Sequence, residues 1–199
     1  MTDFILNLIA AGGYLGIFAL MVIENVFPPI PSEVIMGLGG IAVARGDMSL
    51  PLLIAWATAG STLGNLFWYW IGRRIGYERF RPFIERHGRW LTVDWPEAER
   101  LQRFFVRHGQ WVVFVFRFMP TGRTLISLPA GLTYMPLRRF VLWTFLGSTI
   151  WNSVLAWAGL YFGSNFERLQ HYVGPAAIAI TATLLLSYLW RVVTWRPRG

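Results

Sequence analysis

Two arginines lie inside a strongly apolar stretch of this sequence. Residues 109–133 are as apolar as a membrane segment, yet they contain Arg117 and Arg123, with Pro120 and Gly122 between them. An arginine at bilayer depth costs roughly 2.5 kcal/mol or more, and a proline removes a helix hydrogen bond. Arginine also stays charged at any accessible pH. We therefore predict a helix break at Pro120 and Gly122, with two fixed cations that face a buried polar site instead of lipid.

A second stretch has a similar pattern with the opposite charge. Within residues 13–44, Glu24 and Glu33 lie on either side of a group of prolines. These prolines are Pro28, Pro29 and Pro31. We interpret both stretches as re-entrant hairpins, each of which breaks at its prolines and returns to the side that it entered. The simpler interpretation, in which the charges sit at the membrane surface without a function, is less favoured because the two hairpins have matched breaks and complementary charges.

The composition indicates a membrane protein. Of the 199 residues, 55% are hydrophobic and 17% are aromatic, and the mean hydropathy of +0.45 is too high for a soluble domain of this size. The formal charge of +8 comes from 18 arginines, because the chain has no lysine. These arginines cluster beside apolar segments, which fits the positive-inside rule better than nucleic-acid binding. The absence of cysteine excludes disulfides and cysteine metal sites.

Each hairpin is followed by an apolar run long enough to cross about 30 Å of hydrocarbon as a helix. Residues 50–72 and 137–162 are these predicted transmembrane helices, and residues 173–193 add a C-terminal one. The linker at 77–108 is rich in charge, and its segment Pro96–Arg107 has the periodicity of an amphipathic helix on the membrane surface. Its excess of arginine, like that of the C-terminal tail, predicts that both lie in the cytoplasm.

An internal repeat relates the two halves of the chain. At an offset of 87, residues 48–76 align with 135–163 without a gap and share ten identities in 29 positions. Asn65 and Asn152 are one identical pair, predicted either to join helices by hydrogen bonds or to line a polar pathway. Each unit crosses the membrane once, so the second unit must be inverted relative to the first. Opposed hairpins would then meet near the midplane, where their opposite charges can pair.

The predicted fold class is therefore an all-α membrane protein with a single multi-pass domain. It is an inverted repeat of two units, each a re-entrant hairpin plus a transmembrane helix, with an added C-terminal transmembrane helix. Repeat 1 covers about 13–76, the cytoplasmic amphipathic linker 77–108, and repeat 2 about 109–163.

Three motifs together resemble the signatures of the DedA family of membrane proteins. They are ENVFPPIPSE at 24–33, GSTLGNLFWYWIGRRIG at 60–76 and RFMPTGRTLISLPAGLTYMPLRRF at 117–140. The resemblance covers roughly residues 13–163, and it implies an integral protein of the bacterial inner membrane with two facing re-entrant hairpins. Bacterial members are implicated in moving lipids across this membrane, with undecaprenyl phosphate the implied cargo of several and phospholipids that of others. Asn65 departs from the aspartate that many members have at this position.

The resemblance also assigns roles to the charged residues. Arg117 and Arg123 match the paired arginines of the family, and Glu24 and Glu33 match its membrane acids. A guanidinium group matches phosphate oxygens in a bidentate manner, so the arginines are predicted to bind the lipid headgroup. Burial and a nearby arginine act in opposite directions on the proton affinity of a carboxyl group, so the glutamates are predicted to couple transport to the proton gradient. The predicted partners are thus a lipid and protons, with no cofactor, metal or nucleic acid, and homo-oligomer formation is left open.

Three alternatives are kept beside this prediction. A phospholipid scramblase would move ordinary phospholipids as well. A structural protein of the cell envelope would use its charges only to dock the hairpins, so that exchanging Glu24 and Arg117 would restore function. An intramembrane phosphatase is the least favoured, because no metal-ligand spacing is present and the histidines lie outside the hairpin tips. These histidines are His87, His108 and His171.

Overall fold

The described part of the protein is helical. The computed structural model describes residues 2–27, 32–79, 82, 95–119 and 122–162, and all regular secondary structure in these ranges is helix. The helices that build the fold are α1 (Thr2–Val26), α2 (Ser32–Ala44), α3 (Leu50–Ile75), α4 (Trp95–Phe116), α5 (Gly122–Leu125), α6 (Ser127–Leu132) and α7 (Leu137–Phe162). The prediction of an all-α fold is confirmed for these residues.

Local sequence explains where several of these helices begin, break and end. In α1, Gly13 has φ 52°, a left-handed conformation that favours glycine, and it separates the first turns from the apolar arm that ends at Val26. A turn precedes α3, with Gly46 at φ 84°. Pro51 then occupies the first turn of α3, where a missing N–H costs no helix hydrogen bond, and α3 ends at Gly76 with φ 71°.

Helices α3 and α7 are an antiparallel pair. Both have 26 residues, and the ends of α7 lie 87 positions after those of α3, which is the offset of the sequence repeat. Thr58, early in α3, accepts a hydrogen bond from Asn152, late in α7. Tyr69, late in α3, stacks on Phe140, early in α7. Among the described helices, these two are long and apolar enough to cross a membrane.

The other helices pack crosswise on this pair. α1 packs on α3 and α4 packs on α7, whereas α2 packs mainly on α7 and α6 mainly on α3. A Cβ atom on Gly40 of α2 would lie 2.5 Å from the carbonyl oxygen of Ala156. A Cβ atom on Gly131 of α6 would overlap the carbonyl oxygen of Tyr69, which is the repeat equivalent of Ala156. The second arm of each hairpin region therefore packs on the long helix of the other unit at an equivalent position.

Buried side chains change character along α3. Leu53 and Ala57 belong to one apolar cluster, and Tyr69 belongs to another. The buried positions between them include the polar residues Thr58, Ser61, Thr62 and Asn65. Polar groups at this depth need partners within the protein, because hydrocarbon offers none. The middle of α3 is therefore where a polar site has to be built.

One helix boundary differs from the prediction. α4 runs without interruption from Trp95 to Phe116, so the amphipathic segment and the first arm of the second hairpin region form one helix across residue 108. Gly122 is the first residue of α5. The other predicted break residues, Pro28, Pro29, Pro31 and Pro120, lie outside the described residues, as do the helix predicted at 173–193 and most of the linker. α1 and α4 nevertheless end shortly before these prolines.

Candidate functional site

A buried ion pair joins the two hairpin regions. Glu24 lies in the last turn of α1, and Arg123 is the second residue of α5. Arg123 Nη2 contacts Glu24 Oε1, and Arg123 Nη1 donates a hydrogen bond to Ser32 Oγ at 2.5 Å. Only 7% of Arg123 and 3% of Glu24 are exposed. A partner of opposite charge makes such burial tolerable, although desolvation leaves a buried pair with little net stabilisation.

Arg117 lies among neutral oxygens instead of carboxylates. Its side chain is 2% exposed, and Nη1 donates to Asn65 Oδ1 at 2.6 Å and to the main-chain carbonyl of Arg123. Nη2 donates to Ser127 Oγ at 3.2 Å and to Thr144 Oγ1 at 2.9 Å. Both terminal nitrogens are therefore occupied. Arg117 connects α3, α6 and α7 and fixes the main chain at Arg123.

Two asparagines connect the ion pair to Arg117. Asn25 Nδ2 donates to Glu24 Oε2 at 2.5 Å, and Asn65 Nδ2 donates to Asn25 Oδ1 at 2.7 Å. Asn65 Oδ1 accepts the bond from Arg117 and a second one from Ser127 Oγ at 2.8 Å. Glu24, Arg117 and Arg123 thus belong to one buried network, which crosses α3 at Asn65.

Glycines on the long helices make room for this network. A Cβ atom on Gly64 would lie 2.7 Å from Asn25 Cβ, and one on Gly147 would lie 2.8 Å from Arg117 Cγ. Both distances are shorter than packed carbon atoms allow, so a larger residue would push α1 or α4 away. The hydrogen bonds of Asn25 and Arg117 depend on this close approach.

Two predicted site residues lie outside the network. Glu33 is half-buried in the first turn of α2, and its buried Oε1 has no hydrogen-bond partner among the described residues. Asn152 is buried, and it donates to Thr58 Oγ1 at 3.3 Å. Asn152 therefore joins α7 to α3, whereas its repeat equivalent Asn65 belongs to the charged network.

Four small polar residues of the network were missed in the sequence. They are Asn25, Ser32, Ser127 and Thr144. Asn25 and Ser32 are the immediate neighbours of the two glutamates in ENVFPPIPSE, and Ser127 follows Arg123 by about one helical turn, so their positions were a usable signal. Thr144 is far along the chain from every charged residue of the site, and only the packing of α7 brings it to Arg117.

The chemistry that this site offers is anion recognition and proton exchange. The guanidinium groups supply several donors, and the Nε atoms of Arg117 and Arg123 are buried without a partner among the described residues. Glu24 and Glu33 supply carboxylates. In the part of the chain that the structure describes, no group of three His, Cys, Asp or Glu side chains is placed to hold a metal ion.

Known proteins resemble this chain over most of its length. The VTT domain matches residues 30–161. The "Alkaline phosphatase-like protein" of Lactococcus lactis subsp. lactis (strain IL1403) is 38% identical over 194 residues, 97% of this chain and 91% of that protein. "Undecaprenyl phosphate transporter A" of Staphylococcus aureus (strain NCTC 8325 / PS 47) is 37% identical over 170 residues, 85% of this chain and 84% of that protein. The Bacillus subtilis (strain 168) protein of the same name is 33% identical over 177 residues, 88% of this chain and 85% of that protein.

No solved structure matches the chain. The apolar helices α3 and α7, together with relatives that are named as transporters, identify a membrane protein. The VTT domain covers more than half of the sequence, and the relatives align over most of both chains. The chain therefore belongs to the VTT-domain family, which confirms the DedA resemblance of its motifs.

Proposed function

We propose that this protein carries a lipid phosphate, most simply undecaprenyl phosphate, between the leaflets of the bacterial cytoplasmic membrane. The buried pair of Arg123 and Glu24 carries this proposal, because a phosphate can replace the carboxylate as the partner of the same cation. The Nε of Arg123, which has no partner among the described residues, adds a donor for another phosphate oxygen. Two relatives bear the name undecaprenyl phosphate transporter A, which supports this choice of cargo.

The proposed topology is an inverted repeat of two re-entrant hairpins in a multi-pass protein with a cytoplasmic C-terminus. The antiparallel course of α3 and α7 supports it, as does the exchange of second arms between the units. Arg138 and Arg139 favour a cytoplasmic position for the start of α7. In this orientation Asn65, near the middle of α3, lies close to the bilayer midplane, and so does the network around it. A binding site at that depth fits a carrier that serves both leaflets.

We assign different roles to the two arginines. Arg123 already contacts an anion, so it is the proposed ligand of the headgroup phosphate. Arg117 donates to four neutral oxygens, including the carbonyl of Arg123, so it is proposed to hold Arg123 in place. The free donor of Arg117 is its Nε, which limits a direct phosphate contact from its present position to one hydrogen bond.

The two glutamates are the proposed proton acceptors. A phosphate on Arg123 would separate Glu24 from its cation, and a buried carboxylate without a cation is stabilised by taking up a proton. Asn25 and Asn65 keep Glu24 connected to Arg117 and form the proposed polar pathway. Phosphate binding and proton uptake would thereby be linked.

The test is lipid movement between the leaflets of reconstituted vesicles. Full-length protein is placed in liposomes of defined composition, and undecaprenyl phosphate and phosphatidylcholine are followed separately. We expect transbilayer movement of the polyprenyl phosphate well above that in protein-free vesicles, with phosphatidylcholine unaffected. Equal acceleration of both lipids would show that the protein is a scramblase and not a selective carrier. Movement of neither lipid would favour the structural alternative, in which the charges only dock the hairpins.

The same vesicles test the enzyme alternative. The name of the Lactococcus relative raises the question of phosphatase activity. Among the described residues, the hydrogen-bond network around Arg117 and Arg123 includes no histidine to activate a nucleophile. We propose a transporter without enzymatic activity, so undecaprenyl phosphate should remain intact. If inorganic phosphate is released and this release is lost when Glu24 is replaced, the protein hydrolyses the lipid phosphate, and the transport proposal has to be given up.

Proton coupling predicts a specific loss in the glutamine variants. Glu24→Gln and Glu33→Gln should each respond less than the wild type to an imposed pH gradient, because an amide cannot take up a proton. The measurement is the initial transport rate with gradients of either sign. Asp47→Asn removes a carboxylate from an exposed loop, and this control should keep the full response. If both glutamine variants respond as the wild type does, coupling has to be abandoned while phosphate binding still stands.

A further inference from the structure

A polar cavity lies at the end of the bundle where α7 begins. Its volume is about 300 Å³, and it is an open cleft lined by α4 and by the segment 133–136, with Arg139 of α7 and Arg107 of α4 in its lining. No residue of this cavity takes part in the network around Arg123. The cavity is therefore separate from the proposed carrier site.

The two arginines of this cavity have no anionic partner among the residues that the structure describes. Arg107 and Arg139 are exposed, and within the described ranges neither forms an ion pair or a hydrogen bond. Arg103, one turn before Arg107, instead forms an ion pair with Glu99 at 3.6 Å. Two free guanidinium groups beside one polar cavity create a positive site that is complementary to an anion.

Exposed apolar side chains continue from each arginine along its helix. Trp111 and Val115 follow Arg107 on one face of α4, at spacings of four residues. On α7, the exposed row that follows Arg139 at spacings of three or four residues is Leu142, Leu146, Ile150 and Val154. Each helix thus presents a charged group at its beginning and an apolar strip beyond it.

These two strips lie on neighbouring helices that run in the same direction. The rings of Trp111 and Trp143 are 4.9 Å apart, and further along both helices a Cβ on Gly147 would lie 3.2 Å from the carbonyl oxygen of Phe114. The charged ends of the strips therefore coincide at the cavity, and the apolar parts extend together from it. This arrangement has the polarity of a single lipid molecule.

We propose that the cavity between Arg107 and Arg139 binds the phosphate headgroup of a membrane lipid, whose chain lies along the exposed strips of α4 and α7. The ligand class is a lipid phosphate monoester in the leaflet at this end, which is the cytoplasmic leaflet in the topology proposed above. The inference rests on the proposed function for the choice of a lipid over a soluble phosphate. The site would receive or release the lipid at the membrane surface, apart from the carrier site at the midplane.

The experiment measures binding of dioleoyl phosphatidic acid, a lipid phosphate monoester, to full-length protein in neutral phosphatidylcholine nanodiscs. All proteins carry Arg123→Ala, which removes the proposed midplane ligand and separates the two sites. Adding Arg107→Gln and Arg139→Gln together should weaken binding at least about tenfold, since charge-assisted hydrogen bonds are lost at both positions. The matched control is Arg103→Gln with Arg138→Gln, which removes two exposed charges from the same helices outside the cavity. The control should bind as the Arg123→Ala parent does.

Three results would overturn this proposal. Equal weakening in the control pair would show a general attraction of anionic lipid to a basic surface. Unchanged binding in the Arg107 and Arg139 variant would show that the cavity takes no headgroup. Inorganic phosphate that displaces the lipid at equal concentration would assign the cavity to a soluble ligand, because the apolar strips would then contribute nothing. Transport by the protein with Arg123 intact is measured separately, so failure of this site and failure of the carrier proposal remain distinguishable.

Discussion

Replacing Arg123 by alanine is expected to abolish transport of undecaprenyl phosphate while the protein stays folded. Arg123 carries the charge that Glu24 now balances, and removal of one partner from a buried charged contact typically costs about 2–5 kcal/mol of binding. The expected loss is therefore about thirtyfold or more in transport at limiting lipid concentration. The fold should survive, because Glu24 can take up a proton and keep its hydrogen bond with Asn25.

The measurement compares initial transport rates and thermal unfolding of the same purified protein. Arg45→Ala is the matched control, because Arg45 is exposed in the turn before α3 and should transport as the wild type does. Arg123→Lys should fall between wild type and alanine, since an ammonium keeps the charge without the planar fork that reaches both Glu24 and Ser32. Recovery of transport in a Glu24→Arg, Arg123→Glu double variant would assign the pair to docking alone, and wild-type rates in Arg123→Ala would remove Arg123 from the phosphate site.

Replacing Arg117 by methionine is expected to damage the fold itself. Four oxygens accept hydrogen bonds from this side chain, and they belong to Asn65, Arg123, Ser127 and Thr144. Methionine fills a similar length but donates no hydrogen bond, so each of these acceptors loses the donor that Arg117 supplied, and Asn65 Oδ1 keeps only the bond from Ser127. A buried neutral acceptor that loses its donor typically costs about 1–3 kcal/mol, and several acceptors are affected, so the free energy of unfolding should fall by about 3 kcal/mol or more.

Unfolding by denaturant in mixed micelles, followed by tryptophan fluorescence, measures this change. Arg138→Met makes the same substitution at an exposed position of α7 that has no hydrogen bond within the described ranges, so its stability should match that of the wild type. The opposite pattern would revise the division of roles. If the Arg117→Met protein is as stable as the wild type and loses only transport, Arg117 has to be assigned a direct contact with the phosphate, as Arg123 is.

The sequence was most informative where its two halves repeat. The offset of 87 relates both ends of α3 to those of α7, and complementary charges indicated that the hairpin regions meet. The course of α4 was harder to predict, because the change from charged to apolar residues at 108 marks a change of environment and not the end of a helix. The different surroundings of Arg117 and Arg123 could not be predicted either. The neutral acceptors of Arg117 include Asn65 and Thr144, which lie far from it in the sequence.

The repeat also predicted more symmetry than the site has. Asn65 and Asn152 are equivalent in sequence, but only Asn65 reaches the charged groups. One physical reason is the residue before each of them. Gly64 allows Asn25 of α1 to approach α3, whereas the equivalent position before Asn152 is filled by Trp151. The exchange of a glycine for a tryptophan before the asparagine thus gives the two similar helices different contacts.

The exchange of second arms between the two units has a consequence for biosynthesis. Gly40 of α2 packs closely against Ala156 of α7, and Ala156 leaves the ribosome much later than Gly40. Until then the first unit holds an uncovered glycine surface, and neither half can complete its own interior. Contacts between such distant parts of a chain form slowly, because a large loop must close first. The two halves are therefore repeats in sequence but fold as a single unit. The packing of the first half is complete only after α7 of the second half has been synthesised.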